Sequence, residues 1–305
     1  MTIKECKEQL SKTKSPYRKK RLAKVFEAII ERKKEGEKLN TLLNYPGSKQ
    51  LIKKWIISFI PEHSTYLEPF FGSGTVFFEK DPAKIEVVND IDGDIYNFFK
   101  VLRDDPDPLI ESITLTPFSV NEYKNSRMIV EDDSDIEKAR KFAIRCWFGI
   151  GNSAVYQSGF RRSKSKTSSN KCKTWDRLPE TMQFAASRLK NAIIENSDAI
   201  NIIQKYNNSD VFIYCDPPYV LSTRKEHLYK HDMTDSQHIE LLQTLKAHKG
   251  KVLISCYDEE IYSKELAGWH KETIMTAAER GKRTECLYMN YLPQPSLFDI
   301  GELDG

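Results

Sequence analysis

Asp216-Pro217-Pro218-Tyr219 is the group of residues in this sequence best equipped for chemistry. It follows Asp210–Cys215, an apolar run (DVFIYC) that reads as a buried strand. Open α/β sheets bind ligands just beyond the carboxyl ends of such strands. The two prolines fix the backbone and give the Pro217 carbonyl one direction to point, and Pro217 has no N–H to donate. A carboxylate and a carbonyl thus stand side by side next to the flat ring of Tyr219. Two acceptors and an aromatic plane suit an aromatic ring that bears an amino group. Stacking of that kind needs the ring of Tyr219 and not its hydroxyl. The competing reading is a proline turn that ends a strand, with Tyr219 as packing.

A second group is Leu67-Glu68-Pro69-Phe70-Phe71-Gly72-Ser73-Gly74, a short strand running into a glycine turn. Glycines let a ligand approach the backbone, and a following helix offers unpaired N–H groups. Asp90 closes the next apolar run, Ile85–Asn89, about twenty residues after Glu68, where an acid in a doubly wound fold binds ribose hydroxyls. The three-glycine dinucleotide fingerprint is absent, since only Gly72 and Gly74 are present.

The elements that must position these groups alternate. Helical spacing covers Leu51 to Ile60, strands are expected over Thr65–Pro69 and Ile85–Asn89, and helical spacing returns from Ile91 to Leu102. Alternation stops over 105–185, which opens on the proline-rich DDPDPL, contains a helical run Ile136 to Phe148 and carries a basic stretch from Arg161 to Lys173. It resumes with a helix over Glu180–Lys190, a strand over Ala192–Ile194, the strand before Asp216, a helix over Ser236–Ala247 and a strand over Lys251–Cys256. Two final strands, 270–277 and 284–292, flank Glu279-Arg280-Gly281-Lys282 and read as a hairpin. The expected fold is a doubly wound, mostly parallel α/β sheet that ends in an antiparallel hairpin, with a mainly helical insert. Four segments follow: a basic helical extension over 1–40, a sheet domain split into 41–104 and 186–305, and the insert over 105–185.

Composition sets the frame. The chain has 305 residues, 39% of them hydrophobic, which is enough for a sizeable core. A net charge of +3 permits a polyanionic partner without demanding one, and the Lys and Arg residues concentrate in 1–40 and in the insert. The six cysteines form no C-x-x-C pair and no His cluster has metal-ligand spacing, so no metal is expected. Free thiols, no long apolar run and no apolar leader at the N-terminus point to a reduced, cytoplasmic protein with no membrane partner.

Several motifs in order resemble the Dam-like DNA adenine methyltransferases that modify the exocyclic amino group. Asp216-Pro217-Pro218-Tyr219 is similar to the catalytic motif of that family, and EPFFGSG to its cofactor motif. Tyr45-Pro46-Gly47-Ser48-Lys49 resembles its W-A-G-G-K segment, Asn89-Asp90-Ile91-Asp92 its A-D-I-N segment, Asp235 to Leu242 its D-H-x-x-L helix, and Glu285 to Tyr291 its E-x-x-x-x-N-Y strand. The likeness covers 41–104 and 186–292, and it implies a seven-stranded methyltransferase sheet. It also implies S-adenosylmethionine as the methyl donor, double-stranded DNA as substrate, a specific short recognition sequence and base flipping. Catalysis falls to Asp216, Pro217, Pro218 and Tyr219. Cofactor binding falls to Tyr45, Gly47, Lys49, Glu68, Pro69, Phe70, Gly72, Gly74, Asp90, Asp198 and Asp216.

The insert departs from the family pattern. Arg145-Cys146-Trp147-Phe148-Gly149 and Gln157-Ser158-Gly159-Phe160-Arg161 stand where R-Y-N and F-N-x-P-Y-G are usual. The region looks closer to the phage and prophage branch, so Dam's recognition sequence does not transfer. With the insert assigned to target recognition, Arg161, Arg162, Lys164 and Lys166 become the DNA contacts, and a cognate restriction endonuclease becomes a candidate partner. The competing readings are an RNA adenine methyltransferase, a protein methyltransferase using the same acceptor geometry, and a non-catalytic DNA-binding relic. The glutamine-modifying enzymes typically begin the motif with Asn where this chain has Asp216, and intact DPPY and FGSG oppose a relic.

Overall fold

The computed structural model describes residues 41–128, 130–150, 159–161, 171–220, 229–278 and 281–293. The expected extension over 1–40 and the basic residues Arg162, Lys164 and Lys166 lie outside them. The described chain divides into two compact units: Tyr45–Tyr96 with the residues from Asn191 onward, and 41–44 with Asn97–Lys190.

The first unit is built on one seven-stranded sheet. Its strands are β1 (Thr65–Glu68), β2 (Ile85–Asn89), β3 (Ala192–Glu195), β4 (Val211–Cys215), β5 (Lys251–Tyr257), β6 (His270–Ala278) and β7 (Gly281–Met289), in the order β3-β2-β1-β4-β5-β7-β6. The first five in that order run parallel, and β7 enters antiparallel between β5 and β6. The last strand of the chain thus fills the penultimate position, and the expected terminal hairpin is present.

Burial explains the strand sequences. All five residues of β4 are buried, as are four of the five in β2, so both faces of these strands are covered and their sequences are continuous apolar runs. One face packs Leu67, Val87, Ile213, Cys215, Val252, Ile254 and Cys256 against Ile202, Ile203, Leu241, Leu242, Leu245 and Leu266. The buried thiols Cys215, Cys256 and Cys286 serve here as small apolar groups. The order of the sheet reverses between β1 and β4, where a doubly wound sheet opens its ligand crevice.

The helices of this unit are short. They are α1 (Lys53–Ser58), α2 (Thr75–Glu79), α8 (Ala199–Lys205), α9 (Asp235–Lys246) and α10 (Glu260–Glu265). Thr234 and Gln237 form a capping box that starts α9. The sequence reading omitted α8 and α10, since seven and six residues are too few to establish a 3.6-residue period.

The second unit is helical: α3 (Gly93–Asp104, in this unit from Asn97 on), α4 (Pro106–Leu115), α5 (Val120–Asn125), α6 (Asp135–Phe148) and α7 (Lys171–Leu189). Its core is aromatic, with Phe98 against Phe142 and Phe148 edge-on to Trp175. Helix α7 corrects the expectation of a helix beginning at Glu180, because it starts nine residues earlier and passes through Pro179. Proline removes one intrahelical bond. The turns before it are held instead by Trp175 and Leu178, both buried, with the Trp175 indole donating to the Thr116 carbonyl at 2.9 Å. Among the described residues no helix is long and apolar enough to cross a membrane.

Candidate active site

The crevice at the β1/β4 reversal is a cavity of about 630 Å³. That is within the usual range for small-molecule and cofactor sites. Tyr45, Gly47, Lys49, Glu68, Pro69, Phe70, Gly72, Asp90, Asp198, Asp216 and Pro218 line it, so most of the residues singled out in the sequence meet in one place. Gly74, Pro217 and Tyr219 are not among its lining residues.

The glycine turn works by internal bonding. Gly72 and Gly74 have φ of 51° and 65°, a left-handed backbone that side chains disfavour. The Gly72 N–H donates to Asp90 Oδ2 at 2.8 Å, and the Gly74 N–H to the Phe71 carbonyl at 2.8 Å. These two turn donors are therefore spent within the protein. Asp90 Oδ1 accepts from the Asp92 N–H at 2.9 Å. Burial pushes the Asp90 carboxyl up to about 7, although those backbone donors pull the other way. Asp198 caps α8, its Oδ1 accepting from the Ile200 and Asn201 N–H groups. Asn89 ties the two ends together, donating to the Pro69 and Ser197 carbonyls.

Glu68 is buried beneath the turn, where the Tyr66 hydroxyl donates to it at 2.6 Å. Burial raises its carboxyl to about 8; Tyr66 opposes that rise and nearby Asp216 adds to it. The walls carry seven acidic side chains (Glu68, Asp90, Asp92, Asp198, Asp216, Asp232 and Glu240) against Lys49 and Lys230; even with Glu68 and Asp90 raised, the other five outnumber the lysines, so the cavity suits a cationic ligand. Gly47 has φ 73°, a backbone that other residues rarely adopt, and a Cβ there would sit 2.2 Å from the Tyr229 hydroxyl, which would have to move aside.

Asp216 stands at the end of β4 with both carboxylate oxygens engaged. Lys49 Nζ lies 2.7 Å from Oδ2, and the Ser255 hydroxyl donates to Oδ1 at 2.7 Å. Lys49 is buried, which alone lowers an ammonium's pKa, but Asp216, with Glu285 and Tyr229, outweighs burial and holds the charge. Each carboxylate oxygen has a second lone pair, so Asp216 keeps acceptor capacity.

Tyr219 is 9% exposed. Its hydroxyl donates to Glu285 Oε2 at 2.7 Å, its ring meets Tyr257 edge-to-face at 4.3 Å, and Lys49 Nζ is 4.8 Å from its centroid. The sequence reading gave work only to the ring, whereas in the structure the hydroxyl is bonded as well.

Sequence reasoning assigned no role to Ser255, Tyr229 or Glu285. Ser255 had a signal, being a fully buried hydroxyl in the apolar strand LISCY. Glu285 opens the segment Glu285 to Tyr291 that resembles the family's E-x-x-x-x-N-Y strand. The rest of that motif is structural, since Asn290 pairs with Val252 and Gly250 across β5, and the Tyr291 hydroxyl donates to the Phe59 carbonyl.

In the helical unit, Arg161 Nε donates to the Gly149 carbonyl at 3.0 Å and its N–H to Phe148 at 2.7 Å. Phe160 packs on Phe118, Tyr123 and Phe148. Arg145 donates to the Ser126 carbonyl.

A cavity at the reversal of a doubly wound sheet, with an acidic residue after the second strand and a carboxylate at the end of β4, is the place where α/β enzymes of this architecture bind their ligands. Residues 45–279 match the D12 class N6 adenine-specific DNA methyltransferases, and the chain belongs to that family. It is 26% identical over 289 residues to the type II methyltransferase M.MjaIII of Methanocaldococcus jannaschii, a match spanning 82% of this chain and 98% of that one. It is 24% identical over 221 residues to the DNA N-6-adenine-methyltransferase of Escherichia phage P1, covering 68% of this chain and 27% of that one. It is 25% identical over 194 residues to a DNA adenine methylase of Vibrio cholerae, covering 61% and 68%. A solved precorrin 8W decarboxylase of Methanobacterium thermoautotrophicum aligns over 81% of this chain and 94% of its own at 10% identity, with a TM-score of 0.36 that is too low to argue from.

Proposed function

We propose that this adenine-specific DNA methyltransferase transfers the methyl group of S-adenosylmethionine to the exocyclic amino nitrogen of an adenine turned out of double-stranded DNA at a specific short sequence. The observation that carries the reading is the cavity itself: the turn after β1, Asp90 and Asp216 share one acidic crevice. Its volume, its glycine turn and its excess of carboxylates fit a cationic nucleoside cofactor. Tyr45, Gly47, Glu68, Pro69, Phe70, Gly72 and Asp198 would hold it, with Gly74 shaping the turn and Asp90 on the ribose. When bound, that cofactor supplies an electrophilic methyl group on a sulfonium.

Adenine's amino nitrogen is a poor nucleophile because its lone pair is spread into the ring. Asp216 and the Pro217 carbonyl accept its two hydrogens and favour a pyramidal nitrogen with a directed lone pair. Ser255 and Lys49 fix the carboxylate, so no reorientation is needed as charge develops. The nitrogen sheds its proton only after it has become cationic, so Asp216 need not be a strong base. Pro218 stiffens the turn and Tyr219 walls the base. A base in a stacked duplex cannot reach such a site, and extruding it costs a few kcal/mol.

The test is tritiated methyl transfer offered in parallel to DNA, RNA and protein. Label in adenine of duplex DNA, lost in Asp216→Ala, is the expected result. Label entering RNA or protein alone sinks the substrate assignment. Methylation-aware sequencing of host DNA then reads the recognition sequence, and finding methylated adenines in no common context would remove that part of the proposal. A cognate endonuclease is consistent with the type II designation of the M. jannaschii relative.

A further inference from the structure

Strand β7 runs against its neighbours and brings two side chains of one face to the tyrosine pair beside Asp216. Glu285 Oε2 accepts the Tyr219 hydroxyl at 2.7 Å, in a bond buried from solvent. Two residues earlier, Arg283 donates to the Tyr257 hydroxyl at 3.1 Å and lies 5.1 Å from that ring's centroid. Tyr257 packs edge-to-face on Tyr219. Glu285 is 8% exposed, and burial raises its carboxyl against the pull of Lys49 and Tyr219. A buried carboxylate is costly to retain, and here it accepts the hydroxyl of a residue of the catalytic motif. Apolar packing alone would seat a tyrosine ring without an acid behind it.

We propose that Glu285 is a positioning residue for methyl transfer: by accepting the Tyr219 hydroxyl it fixes the ring that walls the target base, and it acts on the reaction only through that hydroxyl. This rests on the methyltransferase reading above. The reversed strand then has a chemical task, since it supports the catalytic turn from the neighbouring β5 side with a group that β4 cannot supply itself.

Single-turnover methylation of an adenine-containing duplex, with the full chain and saturating cofactor, tests the proposal. Wild type is measured first; its failure to methylate DNA adenine would overturn the underlying reading, separately from this one. Given active wild type, Glu285→Ala lowers the single-turnover rate roughly 10- to 100-fold, as expected for loss of a buried charge-assisted hydrogen bond. Cofactor affinity by calorimetry stays within about twofold, because Glu285 does not line the cofactor cavity. Tyr219→Phe shows a comparable loss, and Glu285→Ala adds nothing further in the Tyr219→Phe background. Glu285→Gln keeps an acceptor oxygen and recovers most of the rate. Additive losses in the double variant, a Gln variant as slow as the Ala variant, or an Ala variant as fast as wild type each overturn the proposal. If Glu285→Ala does not fold, Glu285→Leu takes its place in the cycle with Tyr219→Phe, and a Tyr219→Phe variant with unchanged Tm and wild-type rate overturns the proposal by itself.

Discussion

The two units treat charge in opposite ways. In the sheet unit, polar residues on or just after the strands are buried and bonded: Glu68 is 3% exposed, Asp92 4%, Ser255 0% and Glu285 8%. In the helical unit the core is aromatic, Arg140 with Glu122 and Glu137 keeps contact with solvent, and the one buried charge among the described residues is Lys141, paired with Asp133. Burying a carboxylate is unfavourable unless its surroundings compensate. The sheet unit accepts that cost at these three carboxyls, Glu68, Asp92 and Glu285, the first two of which line the cavity. Charges at a surface carry no such cost, and a basic stretch reads equally as a solvated face or as a binding surface until affinity is measured.

This contrast predicts a division of labour that experiments can break. Asp216→Ala should have the largest effect, a loss of at least roughly 10²- to 10³-fold in the transfer step, with the salt dependence of DNA binding unchanged. Near-wild-type turnover would remove Asp216 from the mechanism. Tyr219→Ala should follow, with a loss of about 5- to 150-fold from missing base stacking, smaller on a duplex in which the target adenine is mismatched and already easier to extrude. Equal losses on both duplexes, together with a lower Tm, would return Tyr219 to packing.

The pH dependence comes next. In the folded state burial raises Asp90 and Glu68 from ordinary values of 3.8 and 4.5 to about 7 and about 8. Between those limits the folded chain holds protons that the unfolded chain has released, so stability falls as pH rises. Without cofactor, Tm should decline from about pH 5 to about pH 8, and Asp90→Asn with Glu68→Gln should flatten the decline. A cationic cofactor favours the ionised acids, so its affinity should rise over the same interval with release of protons. A Tm that rises across that interval contradicts the burial of these acids.

Smallest is the change expected in the helical unit. Arg161→Ala and Arg162→Ala should each weaken DNA binding and flatten its salt slope by about one unit per lost phosphate contact. The transfer rate at saturating DNA should hold. If the slope is untouched while that rate falls, the division of labour between the units is wrong.

The sheet unit was legible in sequence because its strands are buried on both faces and its turns carry glycine and proline. A run such as DVFIYC followed by DPPY admits few other structures. Short helices such as Ala199–Lys205 escaped because they rest on tertiary packing and not on periodicity. The cavity residues were legible where a motif ended a strand. Ser255 and Glu285 were harder to read because their roles depend on partners 39 and 66 residues away in the chain, Asp216 and Tyr219. Pro179 misled for a local reason, since a proline ordinarily marks a helix boundary and here the boundary is overridden by the burial of Trp175.

The central strand pair also sets a timetable for synthesis. At its edge Ser64 donates to the Asp210 carbonyl, a residue 146 positions later. Until β4 leaves the ribosome, β1 can pair only with β2. At about 5–20 residues per second that interval lasts roughly 7–30 s. The helical residues emerge within it, and their contacts are more local, so they can fold first. During that wait a nascent chain shows an apolar strand with one open edge, a surface that chaperones bind and that crowded translation punishes.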